Sequence, residues 1–301
     1  MKNFFKKSYL LLGPLIFIWI IKDIDFIKLK DIISTIHPVS YALAAFLWLP
    51  ATALKAYRWK KIMDIQKIYY SMKDAFLIYG SSSLLGLITP GKIGDFSKIA
   101  HLKKDNHSLG RAFLGSFLER IFDLSFAIVF VFAALFFLPA TLHFPLNSYA
   151  LAKLAGLVIF FLFGFLTLFY FLKKQIVLSL IREILEDLQK FKIKNISFIF
   201  ILSALVWFFY FLLIYLIAVS ISLQQSVNFL YLSFAAAIAL LSGFLPITVI
   251  GIGTRETVFI FLLAPLGVAK ETVITFSLLI LVNYMALFAL NFYCWIKKPL
   301  T

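Results

Sequence analysis

The sequence predicts an all-α, polytopic integral membrane helical bundle, with its 301 residues in a single domain. Hydrophobic residues make up 62% of the chain and charged residues 14%, whereas soluble domains contain about 25% charged residues. Several apolar runs are long enough for helices that cross a hydrocarbon core, which needs about 20 residues. These runs lack the period-two alternation of membrane β-strands. One cysteine and four scattered histidines predict no disulfide, no metal site and no cofactor.

Six spanning helices are predicted, separated by charged or glycine-rich segments. They cover residues of about 8–21, 38–56, 113–138, 150–172, 196–219 and 272–296. Two more apolar runs, at about 75–89 and 230–250, end in glycine-rich breaks. Segments 22–37 and 173–195 place apolar residues near helical spacing among charges, which indicates helices in the membrane interface. Three lysines precede 8–21, as in a signal peptide, but no small-residue cleavage site follows, so we interpret it as an uncleaved helix.

The distribution of basic residues predicts the orientation. With a cytoplasmic N-terminus, 21 of the 29 Lys and Arg residues fall on the cytoplasmic side and four on the other side. Cytoplasmic loops are enriched in Lys and Arg, so both termini are expected in the cytoplasm. The protein itself is expected in the cell membrane. The net charge of +15 then needs no nucleic acid. This assignment requires each broken run to leave the membrane on the side that it entered.

Both breaks combine a proline, two glycines and a carboxylate. The residues are Pro90, Gly91, Gly94 and Asp95 in the first break, and Pro246, Gly251, Gly253 and Glu256 in the second. Proline removes a backbone donor and glycine tolerates non-helical angles, so a helix should stop and restart at each break. Non-helical backbone at membrane depth lines a wet cavity or is buried in protein. We therefore predict two re-entrant hairpins; kinked helices with closely packed glycines are the alternative.

The arrangement of helix, hairpin and helix occurs twice with opposite predicted topology. Repeat A covers about 38–138 and repeat B about 196–296, so the two halves are predicted to be inverted repeats. Inverted repeats with discontinuous helices recur among transporters. The restarted half-helices would direct free N–H groups towards a shared centre, where they attract anions such as phosphate. These groups belong to Gly91, Gly94, Gly251 and Gly253.

Seven charged residues lie in apolar surroundings. They are Asp95, Glu119, Asp123, Glu256, Lys92, Arg120 and Arg255. A charge at the bilayer centre costs roughly 2.5–3.5 kcal/mol, so most of these side chains should be paired or should face water. Glu119 and Asp123 share a helix face, and Arg120 is positioned to pair with Asp123. This set is either a clip that joins the helix to a hairpin or a direct substrate contact.

Arg255 stands beside Glu256 at a predicted half-helix start. Arginine binds phosphate oxygens in bidentate fashion, while the carboxylate holds the arginine or carries a proton. Other cations are expected at the cytoplasmic surface, near anionic headgroups. These are Lys98, Lys103, Lys104 and Arg111, and also Lys55, Arg58, Lys60 and Lys61. Arg58 and Trp59 are expected to have a packing role.

Three motifs, in this order and spacing, resemble the transmembrane-region family of lysylphosphatidylglycerol synthase/flippase proteins, over residues of about 10 to 296. They are Pro90-Gly91-x-x-Gly94-Asp95 with Lys98, then Glu119-Arg120-x-x-Asp123, and Gly251-x-Gly253-x-Arg255-Glu256. The resemblance implies a helical domain with re-entrant segments that moves a lipid between leaflets. It also implies relatives attached to, or found beside, enzymes that use polyprenyl-phosphate sugars.

The sequence departs from the family pattern at several positions. The family usually has Glu where Asp95 stands, Arg more often than Lys98, and proline-glycine where Val249 and Ile250 stand. The second hairpin tip should therefore be less flexible. No soluble aminoacyl-transferase domain follows residue 296, so synthesis of a lysyl-lipid by this chain alone is not expected.

We expect a flippase for an anionic phospholipid or a polyprenyl-phosphate-linked lipid, with membrane lipids as its partners. The predicted substrate-binding residues are Gly91, Gly94, Asp95, Lys98, Gly251, Gly253, Arg255 and Glu256. The predicted polar network is Lys92, Glu119, Arg120 and Asp123. One alternative is an intramembrane enzyme that uses Glu119 or Asp123 as a general base. Another is an accessory subunit of a neighbouring glycosyltransferase or lipid-modifying enzyme.

Overall fold

The computed structural model describes residues 18–19, 22, 24–137, 185–243 and 251–299. Within these ranges the regular elements are helices, as predicted. Most of the predicted helix at 8–21 and all of the one at 150–172 lie outside the described residues. Segment 173–195 is described only from residue 185.

The α-helices and shorter 3-10 segments follow one another in a simple order. The α-helices are α1 (Phe26–Ser34), α2 (Pro38–Phe46), α3 (Trp48–Ile65), α4 (Met72–Ile88), α5 (Lys98–Lys104), α6 (Leu109–Phe137), α7 (Ile193–Ser220), α8 (Phe229–Ser242), α9 (Thr254–Leu263) and α10 (Lys270–Lys297). The 3-10 segments are Pro90–Ser97, Leu223–Gln225 and Ala264–Leu266.

Three helical stretches among the described residues are long and apolar enough to cross a membrane. They are Pro38–Ile65, which joins α2 and α3, Ile193–Ser220 and Lys270–Lys297, each of 28 residues. These lengths exceed the approximately 20 residues that a hydrocarbon core requires. These helices indicate an integral membrane protein. The first stretch runs nine residues beyond the predicted end at residue 56, so Lys55 and Arg58 lie within this helix.

The chain from α4 to α5 forms an antiparallel hairpin. At its open end, the Tyr70 hydroxyl donates a hydrogen bond to Asp105, at 2.6 Å. At its closed end, Gly94 packs so tightly against Leu85 that an added Cβ would overlap the Leu85 backbone. Ser71 caps α4 by accepting from the backbone N–H of Asp74 at 3.0 Å. The 3-10 segment between the helices therefore folds back on the last turn of α4.

Helices α8 and α9 form a second antiparallel hairpin. Gly251 approaches Gly243, with 3.9 Å between a Cβ built on Gly251 and the Cα of Gly243. At the other end, the Tyr231 hydroxyl donates to the carbonyl of Leu262 at 2.5 Å. Asn228 caps α8 by accepting from the Tyr231 N–H at 2.8 Å. The same order of long helix, hairpin and long helix thus occurs twice in the described chain.

The first long helices of the two halves run antiparallel. The backbone N–H of His37, before α2, donates to the carbonyl of Ser220 at the end of α7, at 2.8 Å. Farther along, Arg58 of α3 donates to the hydroxyl of Ser203 of α7, also at 2.8 Å. Residue numbers rise along one helix as they fall along the other.

Each hairpin packs against the last long helix of the other half. Helix α4 contacts α10, and helix α8 contacts α6. On the first of these interfaces, Gly80 lies against Cys294, and a Cβ at Gly80 would come within 2.5 Å of the sulfur. Nearby, Asn291 donates to the Ser83 hydroxyl at 3.1 Å. Small residues thus allow the backbones to approach closely, as at other membrane helix interfaces.

Helix α1 accounts for part of the predicted interfacial segment at 22–37. Asp25 begins it by accepting from the N–H of Ile27 at 2.9 Å. The Ile27 side chain is 74% exposed, and Lys30 is also exposed. A helix is therefore present, and its place in the interface stays a prediction.

Candidate functional site

The closed ends of the two hairpins meet at a small cavity. Gly91 and Lys92 line it from the first hairpin, and Gly243, Gly251 and Arg255 line it from the second. Its volume is about 30 Å³. The described ends of the two hairpins therefore lie next to each other within the bundle.

A second cavity adjoins the first and has a volume of about 60 Å³. Lys92, Tyr210 and Tyr284 line both cavities. The charged side chains that line the second cavity come from α3, α6 and the first hairpin. They are Lys55, Lys92, Asp95, Arg120 and Asp123.

The closed end of the first hairpin has an unusual backbone. Gly91 and Lys92 both adopt left-handed angles, with φ values of 60° and 56°. Glycine tolerates this conformation, whereas a lysine in it is strained. Such strain is found preferentially at binding and catalytic sites. Lys92 is thus held in a costly conformation while it lines both cavities.

Small residues make room for a carboxylate beside this turn. A Cβ at Gly86 would overlap the Asp95 carboxylate, which forms an ion pair with Arg120 of α6. Thr89 accepts from the N–H of Gly94 at 2.7 Å. These contacts fix the orientation of Asp95 towards α6.

A buried arginine organises the carboxylates of α6. The Arg58 side chain has no exposed surface, and its guanidinium donates to Asp123 at 2.6 Å and to Glu119 at 3.2 Å. Glu119 also forms an ion pair with Lys98. Asp123 and Glu119 therefore lie on one face of α6, as their spacing predicted. A buried pair of this kind requires good geometry because both charges lose their hydration.

The ion pairs of α6 differ from two sequence-based expectations. Arg120 pairs with Asp95 on the hairpin, and the pair found for Asp123 is with Arg58 rather than with its neighbour on the helix. The pairs reach other elements because α6 packs against α3, α5 and the 3-10 segment Pro90–Ser97. The predicted clip between α6 and the first hairpin is present, and it consists of Lys98 with Glu119 and of Arg120 with Asp95.

The expected surface positions of Arg58 and Lys98 are wrong. Arg58 is fully buried, and Lys98 is 3% exposed. The Lys98 ammonium lies 4.7 Å from the ring centre of Tyr79 and 5.9 Å from that of Trp59. Such cation–π contacts, together with the ion pair to Glu119, compensate for lost hydration. Lys98 thus belongs to the interior rather than to the headgroup region.

The second hairpin carries a corresponding clip to α10. The Arg255 guanidinium donates through Nε to the Ser277 hydroxyl at 2.8 Å, and through Nη2 to Glu256 at 2.9 Å. Glu256 also accepts from Ser277 at 2.6 Å and from the N–H of Gly253 at 2.6 Å. Arg255 is 4% exposed, and its Nη1 is buried with no hydrogen-bond partner in the described structure. Arg255 lines the first cavity, and Nη1 is the part of its guanidinium without a hydrogen bond.

The glycines differ in their roles. The N–H of Gly94 is bonded to Thr89, and the N–H of Gly253 is bonded to Glu256. The expectation that these two groups present free donors is thus wrong, because nearby side chains cap both breaks. Gly91 and Gly251 line the cavity, with φ values of 60° and 76°.

Several residues of the site are not among those predicted for it, and Lys55 and Arg58 were expected at the cytoplasmic surface instead. Lys55 and Arg58 stand three apart between apolar residues, and this spacing within an apolar run is a signal for burial. Ser277 and Ser203 accept from arginines, and nothing in the sequence marks them. Tyr210 and Tyr284, two of 13 tyrosines, are equally unmarked although both line the cavities.

These features define a helical integral membrane protein with a buried, charged centre between two hairpins. The chain belongs to the family described as lysylphosphatidylglycerol synthase TM region, whose sequence model matches residues 9–290. The resemblance noted from the three motifs is thus confirmed, and the family indicates a function related to membrane lipids. No curated protein matches the chain.

Proposed function

We propose that this protein moves an anionic lipid, either a phospholipid or a polyprenyl-phosphate-linked lipid, between the leaflets of the cell membrane. The observation that carries the proposal is the cavity shared by the two hairpin ends, with Lys92 on one side and Arg255 on the other. Arginine and lysine are the residues that bind phosphate. The free Nη1 donor of Arg255 would contact a phosphate oxygen.

The two halves are proposed to be inverted repeats, over about 38–138 and 196–296. The repeated element order and the antiparallel packing of the first long helices support this arrangement. The hairpins would be re-entrant, opening on opposite sides of the membrane, with both termini in the cytoplasm. Inverted repeats with substrate sites at their interface are typical of transporters.

Opening of the cavity would come from movement of one half relative to the other. Volumes of about 30 and 60 Å³ hold only a few water molecules, so a lipid headgroup requires a wider site. Polar clips attach each hairpin to the last long helix of its own half, through Glu119 in one and Ser277 in the other. For each half to move as a unit, these clips would hold while the contacts of α4 with α10 and of α8 with α6 change.

Reconstitution in liposomes tests this function. Phosphatidylglycerol and phosphatidic acid, each with a fluorescent acyl chain, are assayed separately. At least one of them should become accessible from the other leaflet, without a change in mass, when purified protein is present. A change in lipid mass would favour an intramembrane enzyme. If the lipid neither changes leaflet nor changes mass, an accessory subunit is favoured. A change in lipid mass, or the absence of any change, would contradict a flippase.

Arg255 variants make the test specific. Arg255→Ala should abolish translocation while the protein still inserts and elutes as a folded species, because the free guanidinium donor is lost. Arg255→Lys keeps the charge but loses the planar fork, so it should retain only part of the activity. Lys30→Ala is the control, since Lys30 is an exposed residue of α1. Wild-type transport by Arg255→Ala would refute the assigned role.

A further inference from the structure

The charged side chains around the two cavities do not balance. We define the polar centre as the charged residues that line the cavities, together with every charged residue joined to them by an ion pair, either directly or through another ion pair. It contains six cations and four carboxylates, an excess of two positive charges. The cations are Lys55, Arg58, Lys92, Lys98, Arg120 and Arg255, and the carboxylates are Asp95, Glu119, Asp123 and Glu256.

The other described carboxylates are engaged or placed elsewhere. Most of them bind a lysine, an arginine or a tyrosine away from the cavities: Asp25, Asp64, Asp74, Asp105 and Asp187. Asp31 and Glu186 are exposed, and Glu271 lies in the first turn of α10. The chain has 14 acidic residues in all. The two not yet mentioned are Asp23 and Glu183, which directly follow Lys22 and Arg182 in the sequence. No other described carboxylate therefore belongs to the polar centre.

Three of the cations surround the shared space. Lys92 lines both cavities, Lys55 lines the second, and Arg255 lines the first. Arg255 contributes a buried donor, Nη1, without a partner. Buried cations are costly unless an anion compensates for their lost hydration, so this space suits an anion.

We propose that the two adjoining cavities, once widened by the movement of the halves, take the end group of a phosphate monoester, bound by Lys55, Lys92 and Arg255. This inference rests on the proposed function and specifies its substrate. A phosphate monoester carries about −1.5 to −2 charges near pH 7, which matches the excess of the polar centre. A phosphodiester headgroup has one negative charge and leaves part of the excess uncompensated. An aminoacylated headgroup adds ammonium groups and matches worse.

A competition between two lipids that differ by one methyl group tests the charge match. Dioleoyl phosphatidic acid is a monoester, and dioleoyl phosphatidylmethanol is the corresponding diester with identical chains. An equimolar mixture at pH 8 is added to the purified protein in neutral detergent, and native mass spectrometry measures the bound ratio. The monoester should be retained about tenfold more, or better, because one further charge interacts with the buried cations. Equal retention of both lipids would overturn the proposal.

Variants locate the preference. Lys92→Gln removes one charge from the cavity, so the preference for the monoester should fall several-fold. Lys30→Gln removes a charge from exposed α1 and should leave the ratio unchanged. An unchanged ratio in Lys92→Gln would mean that the preference arises outside the cavity, and the assignment would be wrong.

Two further arms separate the lipid source and the transport function. Competition between phosphatidic acid and a polyprenyl monophosphate identifies which monoester is retained, and a preference for phosphatidylmethanol over both would contradict the inference. In liposomes, equal translocation of monoester and diester lipids would refute the monoester proposal while the flippase function stands. Selective binding without any translocation would refute the flippase function alone.

Discussion

Arg58 is expected to be one of the most important single residues for the stability of this protein. Its guanidinium is completely buried and donates to Asp123, Ser203 and Glu119, at 2.6, 2.8 and 3.2 Å. Glutamine at this position is shorter and uncharged, so both carboxylates would lose their bridging cation. Removing one partner of a buried ion pair costs about 3–5 kcal/mol. We expect Arg58→Gln to lower the free energy of unfolding by this amount.

Unfolding by SDS in mixed micelles measures the change. Lys60→Gln is the control, because Lys60 and Asp64 form a similar pair at 2.9 Å with both side chains 21% exposed, and partly exposed pairs contribute at most about 1 kcal/mol. The double variant Arg58→Gln with Asp123→Asn should be more stable than the sum of the single effects by about 2 kcal/mol. Additivity within about 0.5 kcal/mol, or equal losses in Arg58→Gln and Lys60→Gln, would refute the reasoning.

Two further predictions concern the first hairpin and its surroundings. Gly94→Ala should cost about 1–3 kcal/mol in the same SDS titration, because the new Cβ would overlap the backbone of Leu85, which cannot rotate away; wild-type stability would show that the hairpin is packed more loosely. The hydrogen bond from Lys298 lowers the pKa of the partly exposed Asp74 below its usual value. The ionised Asp74 therefore stabilises the fold fully above the unfolded pKa of about 3.9. This contribution is lost as the pH falls through the folded pKa. Wild type should thus lose more stability than Asp74→Asn between pH 6 and pH 3, and parallel profiles would contradict this.

The long apolar helices could be predicted closely from the sequence. The helix predicted at 196–219 is observed at Ile193–Ser220, and the one predicted at 272–296 at Lys270–Lys297. Unbroken hydrophobic runs bounded by polar residues leave few other options in a membrane. The helix predicted at 38–56 extends to Ile65 in the structure. The prediction ended it too early because Lys55 and Arg58 look like a polar boundary in the sequence.

The partners of the buried charges could be predicted only in part. Local spacing correctly placed Glu119 and Asp123 on one face, but the partners Arg58 and Asp95 come from other helices. Helix rotation and packing bring them together, and a single sequence carries no information on either. The position of Lys98 shows the same limit, since its distance from an apolar run suggested exposure while the fold of the hairpin buries it.

The close approach of α4 and α10 has a practical consequence for measuring motion. Cys294 is the only cysteine of the chain, and it has no exposed surface where it meets Gly80. Thiol reagents require an accessible thiolate, so the native chain already serves as an unreactive background for labelling. A cysteine introduced at Ile93, whose side chain is 62% exposed, would accept a spin label or fluorophore without any change at Cys294.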